Sequence, residues 1–471
     1  MKVFPALNLF LVLLLAQGAR AAEVESSVVA RHLSEVVRFQ TVSHENPAED
    51  DYGPMEQLRH YLEKTYPKVH RSLMHEVVNH HALLFTWTGK DPSLKPALIA
   101  AHMDVVPIEK DSLEKWSCPP FGGVISDGFV WGRGTMDDKI ALISIFESLE
   151  LLLQEGFQPQ RTLYFAFGFD EEVGGEGGAQ KIAELLHSRK VKLDSVLDEG
   201  NSVLQGIVPD VKSLVAPIGL TEKGSVTVEL IARTDAGHSS MPPSESTIGL
   251  LGRAVVLLES HQMPAHFTPS TRKTFETLAL QMPFFKRLAL RNLWLFEPLV
   301  LKMMIQQPAT AAAVRTTTAP TIISAGMKNN VLPSEGHAYV NFRILPGDTI
   351  SSVLAHVHQV VSEPRIEIRI VEGSAREAPP EAHTDSDAYR LLSATVQEFY
   401  PTATVVPNIV VAGTDGRHYT DLAMGGAGVF HFLPSILAKD DLPRYHGVNE
   451  RFPVDQLRTA VLFFQQLMRK E

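Results

Sequence analysis

Apolar and polar positions follow two different periods along this chain, and the change from one to the other marks its organisation. Over residues 28–39 and 55–66 apolar side chains recur at helical spacing, which predicts amphipathic helices. Residues 82–87, 97–101 and 162–167 are instead short apolar runs, and these predict buried strands. Residues 140–153 are almost wholly apolar over a length that only a helix uses, and 179–187 returns to helical spacing. Strands alternating with helices predict an α/β fold, a largely parallel sheet covered by helices on both faces. Ligands in such sheets bind beyond the carboxyl ends of the strands.

From about Pro217 to Glu372 the pattern changes. Residues 225–231, 338–343 and 366–370 alternate like half-exposed strands, 321–323 adds a fourth, and 247–259 and 350–361 are helical. The succession β-α-β-β-α-β predicts a small ferredoxin-like α+β domain. Strand and helix patterns of the first kind return from Asp385. The small domain, 217–372, is therefore expected as an insertion between a first part, 22–216, and a second part, 373–471, of one larger domain. Residues 278–313 interrupt the small domain with a stretch rich in Leu, Met and Phe, broken by Pro283, Pro298 and Pro308.

A length of 471 residues, 44% apolar and 21% charged, suits two or three globular domains. The net charge of −11 argues against nucleic acid, whose binding needs a basic face. Lys2, the apolar residues 7–16 and Ala19-Arg20-Ala21 read as a secretory signal over residues 1–21. That apolar stretch is too short to cross a hydrocarbon core, which takes about twenty residues, so a secreted protein without a transmembrane anchor is expected. Cys118 is the one cysteine; no intrachain disulfide is possible, and stability must come from the core and bound metal.

The candidate chemistry lies at the ends of the apolar segments. His102 and Asp104 are two apart, so on a strand they face the same way, and the carboxylate can orient the imidazole towards a metal. Asp137-Asp138 follows Gly132-Arg133-Gly134 and precedes the helix near Ile140; one carboxylate can cap that helix while the other bridges two ions. Glu171-Glu172 places two carboxylates side by side after a buried strand, costly unless a cation neutralises them. Asp198-Glu199 and His446 complete a set of imidazoles and carboxylates suited to two zinc-like ions. Gly174-Gly175-Glu176-Gly177-Gly178 lacks the register and the terminal Lys-Ser/Thr of a nucleotide loop, and no Gly-x-Ser-x-Gly elbow occurs.

These motifs in this order, with His446-Gly447-Val448-Asn449-Glu450 at the end, resemble the zinc-dependent aminoacylase and carboxypeptidase family that includes carnosinase and the succinyl-diaminopimelate desuccinylases. Trp294-Leu295-Phe296-Glu297-Pro298-Leu299 and Arg315-Thr316-Thr317-Thr318 resemble its secreted branch acting on N-fatty-acyl amino acids. The resemblance implies a zinc-exopeptidase type of fold and two Zn²⁺ ions per subunit. His102 and Glu199 would hold one ion, with Asp198 as the alternative to Glu199; Glu172 and His446 would hold the other, and Asp137 would bridge. Glu171 would be the general base and Asp104 would orient His102.

The inserted domain resembles the family's lid and dimerisation domain, which implies a possible homodimer. His238 would stabilise the developing oxyanion, in dimeric members that of the other subunit, and Asn330 and Arg343 would meet the substrate. Gly413, Thr414 and Arg417 would bind the substrate carboxylate. The function implied is hydrolysis, and by reversal formation, of the amide bond of N-acyl amino acids, fatty-acyl ones in particular. A metallo-dipeptidase or carboxypeptidase acting on peptides is the alternative, and a non-enzymatic binder is disfavoured because every catalytic position is intact. Residues 278–313 serve either as extra core for the lid or as an apolar groove for the acyl chain.

Overall fold

The computed structural model describes residues 24–471, so the expected signal segment lies outside the described residues. A ten-stranded sheet forms the centre of the larger domain. Ala97–His102 runs parallel to Leu163–Gly168 on one side and to Ser195–Asp198 on the other, and Gly428–His431 runs parallel to Ser195–Asp198. Every residue of Ala82–Trp87 and Ala97–His102 is buried, which is why their sequences are continuous apolar runs rather than alternating ones. Helices Ser26–Val37, Lys139–Gln154 and Val454–Lys470 pack together, while Ala179–Ser188 packs on Ala82–Trp87 and Leu163–Gly168. Phe146 centres the first group: its ring lies 5.0 Å from Phe167, 5.5 Å from Phe85 and 5.2 Å from Tyr66.

The sheet is mixed, with its parallel part in the middle. Asn79 and His80 take left-handed backbone conformations and close a tight hairpin between Met74–Val78 and Ala82–Trp87. A strand returned by so short a loop must run antiparallel. Ala82–Trp87 in turn pairs antiparallel with Leu163–Gly168.

A second sheet has the order Thr317–Ala325, Glu335–Ile344, Gly224–Arg233, Ile366–Ile370, each neighbour antiparallel. Thr247–Ser260 and Ile350–Val361 cover it, and its core of residues such as Val228, Leu251, Phe342 and Val357 shares no member with the large core. This is the β-α-β-β-α-β succession that the alternating pattern predicts. The two crossings between the sheets lie side by side: Val215–Glu222 leads directly into Gly224–Arg233, and the returning chain donates Ala382 N–H to Leu220 O at 2.6 Å. Gly224 is needed there, because a Cβ would come within 2.5 Å of the Ala378 backbone nitrogen.

Residues 278–313 do not add to the lid core. Leu278, Met282, Leu290, Leu293, Val300 and Met304 instead pack with Val211, Val215 and Val406, at the edge of the large sheet. The reason is connectivity of shape: strands Val215–Glu222 and Thr404–Val410 pair at that edge and leave an apolar surface that these short helices cover.

Phe146→Ala removes the ring that joins helix Lys139–Gln154 to the central strands. It is expected to cost about 3–5 kcal/mol, read as a lower urea midpoint for the large domain.

Candidate metal centre and substrate cavity

His102 ends its strand with its imidazole buried, one face of the ring towards Asp104 and the other towards a group of carboxylates. Its Nδ1 lies 3.1 Å from Asp104 O and 3.3 Å from Asp104 Oδ1. Asp104 does more than orient that ring. Its carboxylate accepts from Ser43 Oγ at 2.7 Å and from the backbone N–H groups of Glu171 (3.1 Å) and Glu172 (3.2 Å). One buried acid therefore sets the positions of an imidazole and of the loop that carries two further carboxylates.

Asp137 stands between the two histidines. Its Oδ1 is 2.9 Å from His102 Nε2 and its Oδ2 is 3.0 Å from His446 Nε2. Glu199 Oε1 lies 3.4 Å from His102 Nε2, and Glu172 Oε2 lies 3.2 Å from His446 Nε2. The cluster thus divides into a His102–Glu199 side and a His446–Glu172 side with Asp137 touching both. Asp198 is engaged elsewhere: its Oδ2 accepts the Gly416 N–H at 2.6 Å. His431 Nδ1 meets Glu199 O at 3.0 Å and steadies the backbone of that residue.

Asp138, the neighbour for which the sequence left helix capping open, is a further member of the cluster. It occupies the N-cap of Lys139–Gln154 but its side chain makes no capping hydrogen bond, and both carboxylate oxygens are buried without a partner. Ligand atoms of His102, Asp138 and Glu199 lie within 4.8 Å of one another, as do those of His102, Asp137 and Glu172. No spacing rule distinguishes a capping Asp from one turned under its own helix; only the backbone path decides.

The electrostatics express one demand. Burial, with Asp137 nearby, pushes Glu199 well above the ordinary carboxylate range; burial raises Glu171, Glu172 and Asp138 as well. Hydrogen bonds donated to the carboxylates of Asp137 and Glu172 push His446 up to about 10. For Asp137 burial acts upward, but the hydrogen bonds of His102 and His446 outweigh it and hold the group far below its usual value. A cluster so rich in carboxylates takes up positive charge, from protons or from cations. The unpartnered oxygens of Asp138 and Glu172 and the imidazole–carboxylate donor set fit Zn²⁺.

A buried clamp brings the distant His446 into this cluster. Arg133 and Glu450 form an ion pair, Arg133 Nη2 donates to His446 O at 2.9 Å, and Glu450 Oε1 accepts the Met136 N–H at 2.8 Å. His446 itself has φ +54, and the clamp holds that unfavourable backbone in place. On the other side Gly134, φ +88, makes the turn before Asp137, where a Cβ would come 2.7 Å from Val105.

The cluster floors a cavity of about 680 Å³. Asp137, Glu171, Glu172, Glu199 and His446 line its base, and Arg343, Arg376, Arg417, Gly413 and Thr414 line a second part. Arg417 Nη2 donates to Gly174 O at 2.8 Å, and Arg376 pairs with the exposed Glu176 at 2.9 Å. Arg343 pairs with no acidic side chain among the described residues. His238 and Asn330 are not in this wall. They sit together on the lid, where His238 is exposed and pairs with Val331, and Ser239 N–H donates to Asn330 O at 3.2 Å.

Residues 98–470 match the peptidase family M20/M25/M40. The chain belongs to this family. It is 41% identical over 436 residues to the N-fatty-acyl-amino acid synthase/hydrolase PM20D1.1 of Danio rerio, covering 92% of this chain and 84% of that one. It is 39% identical over 445 residues to a probable carboxypeptidase S-like 2 of Dictyostelium discoideum, covering 94% and 84%. Among solved structures it resembles an M20 family metallo-carboxypeptidase, Sso-CP2 from Sulfolobus solfataricus, with TM-score 0.66 at 17% identity over 95% of this chain and 99% of that one. This M20 chain is accordingly an enzyme of the metallohydrolase class, with the family's mixed sheet and helical layers.

Arg376 was not legible as a site residue in the M20 chain. It lies in the crossing from the lid back to the large domain, and reaches the cavity only because that crossing pairs at Ser225. Glu450→Ala leaves Arg133 buried without its counter-charge. A loss of about 3–5 kcal/mol of stability is expected, with a lower bound-metal content after dialysis, measured by thermal unfolding and elemental analysis.

Proposed function

We propose that the chain is a secreted, two-zinc hydrolase that cleaves, and by reversal forms, the amide bond of N-acyl amino acids, with fatty-acyl chains preferred. The observation that carries this reading is the make-up of one cavity. Its lining combines the carboxylate cluster with three arginines and an apolar wall of Leu204, Val410, Val411, Leu433, Leu437 and Leu442. An amino-acid carboxylate suits the arginines, of which Arg343 and Arg417 form no ion pair with an acidic side chain among the described residues, and an acyl chain suits the wall. No residue of 278–313 lines the cavity among the described residues, so the acyl wall is assigned to these leucines and valines rather than to the insert. The similarity to the synthase/hydrolase of Danio rerio supports the same substrate class. Among the described residues no helix is long and apolar enough to cross a membrane.

His102 and Glu199 would hold one zinc, Glu172 and His446 the other, with Asp137 bridging; bound zinc supplies a Lewis acid and an activated water. Glu171 lies in the same cavity with its carboxyl raised by burial, which suits a base that receives a proton and returns it to the leaving amine. Asp104 fixes the imidazole of His102 and the backbone of Glu171 together, so the base and the metal side keep one geometry. Gly413, Thr414 and Arg417 form the rim that meets the substrate carboxylate, with Thr414 N–H held by Glu222 at 2.6 Å. His238, exposed on the lid, and Asn330, half-buried beside it, are assigned to the oxyanion and substrate of a partner subunit in a homodimer.

The peptidase reading uses the same metals and arginines, and only the apolar wall separates it. N-oleoyl-phenylalanine is expected to turn over at least about tenfold more efficiently than N-acetyl-phenylalanine, since two buried methylenes supply about 1.6 kcal/mol. Equal or lower efficiency for the long chain, or faster cleavage of a dipeptide in the same mass-spectrometric assay, overturns the preference. Glu171→Gln is expected to keep its zinc and lose about 10²–10⁴-fold in kcat. Retention of more than a few per cent of activity in a folded variant removes Glu171 from that role.

A further inference from the structure

The helices that cover the large sheet's edge carry an apolar face with no partner among the described residues. On Leu293–Met304 the residues Leu293, Val300 and Met304 are buried. At 100° per residue the opposite side carries Trp294, Leu295, Pro298 and Leu299, with Trp294 80% exposed. On Phe284–Arg291 only Leu290 is buried, and Phe285 is 81% exposed beside Phe284 and Leu288. Basic residues border these apolar ones. Residues 278–313 hold Lys286, Arg287, Arg291 and Lys302 against one acid, Glu297, so their net charge is +3 in a chain of −11. Glu297 is itself paired with Arg272 and Lys286 with Asp210, which leaves Arg287, Arg291 and Lys302 without an acidic partner among the described residues.

We propose that this helical face docks on an anionic phospholipid surface. Aromatic and aliphatic side chains bordered by Lys and Arg are the composition of an interfacial helix, in which apolar groups enter the acyl boundary and cations meet the headgroups. A second copy of this chain is the poorer occupant, because the same positive segment would face itself across a two-fold axis. Leu204 lines the catalytic cavity and packs against the cluster formed by the same helices. Docking stands on the face alone; the fatty-acyl reading supplies only its use, the delivery of long-chain substrate from a lipid phase.

The test uses the chain without residues 1–21 and vesicles of about 3:1 phosphatidylcholine to phosphatidylserine at low salt. The wild type is expected to sediment with them, and the combined variant Phe285→Ser, Trp294→Ser, Leu299→Ser to lose at least about tenfold in partitioning while turning over a short-chain substrate normally. Arg291→Glu with Lys302→Glu weakens binding as well. Should the triple variant not fold, Trp294 fluorescence decides: the wild type shifts to the blue with vesicles, and Trp294→Phe loses most of that shift. A wild type that stays in the supernatant, a folded triple variant that sediments equally, an absent shift, or a triple variant that turns a dimer into a monomer in light scattering overturns the proposal. None of these readouts depends on the fatty-acyl preference.

Discussion

Asp137 lies between two imidazoles whose parent residues are more than three hundred positions apart in the chain, and holding it there constrains much of the molecule. A carboxylate in this position is buried, and burial alone would protonate it. The two imidazoles keep it charged, and each is matched by a further acid, Glu199 on one side and Glu172 on the other. The arrangement concentrates negative charge in a mostly buried cluster at the base of the cavity. Divalent cations answer that charge with fewer groups than protons do, and the orphaned oxygens of Asp138 and Glu172 are where they would gain most.

The supports of this cluster come from three separate parts of the sheet. Asp104, just past one strand, takes the amides of Glu171 and Glu172, just past its neighbour. Asp198 ends a third strand and takes the Gly416 amide, which ties the Gly413–Arg417 loop to the strand before Glu199. Arg133 and Glu450 tie the loop before Asp137 to the loop of His446. Each support is a buried charge whose hydrogen-bonding capacity is used on backbone, so that ligand positions follow from the sheet's own rigidity rather than from surface loops. Parallel strands suit this purpose, since their carboxyl ends open on one edge.

The lid and the helical insert answer different needs. The lid has a core of its own and joins the large domain by two adjacent crossings, and its Arg343 reaches into the common cavity while Arg376 does so from the returning crossing itself. The insert belongs in sequence to the lid and in packing to the large domain. It covers the sheet's edge with one side and leaves an aromatic, basic side outward. Its apolar composition thus does two jobs, and a composition-based reading sees only their sum.

Periodicity by itself marked the parallel centre of the sheet and the β-α-β-β-α-β succession, because burial on two faces and burial on one leave different patterns in a strand. It also marked His102 with Asp104, Glu171 with Glu172, and the Asp137 turn, since those groups are neighbours in sequence as well as in space. Only the tertiary structure decided matters that depend on contacts between remote segments. Which of Asp198 and Glu199 faces His102 follows from a hydrogen bond to Gly416, a residue on a later strand's approach. Whether Asp138 caps a helix or turns beneath it, whether Arg376 reaches the cavity, and which side of the 278–313 helices is covered are settled by packing partners far along the chain. Local pattern encodes which residues avoid water; it does not encode what they meet once they have done so.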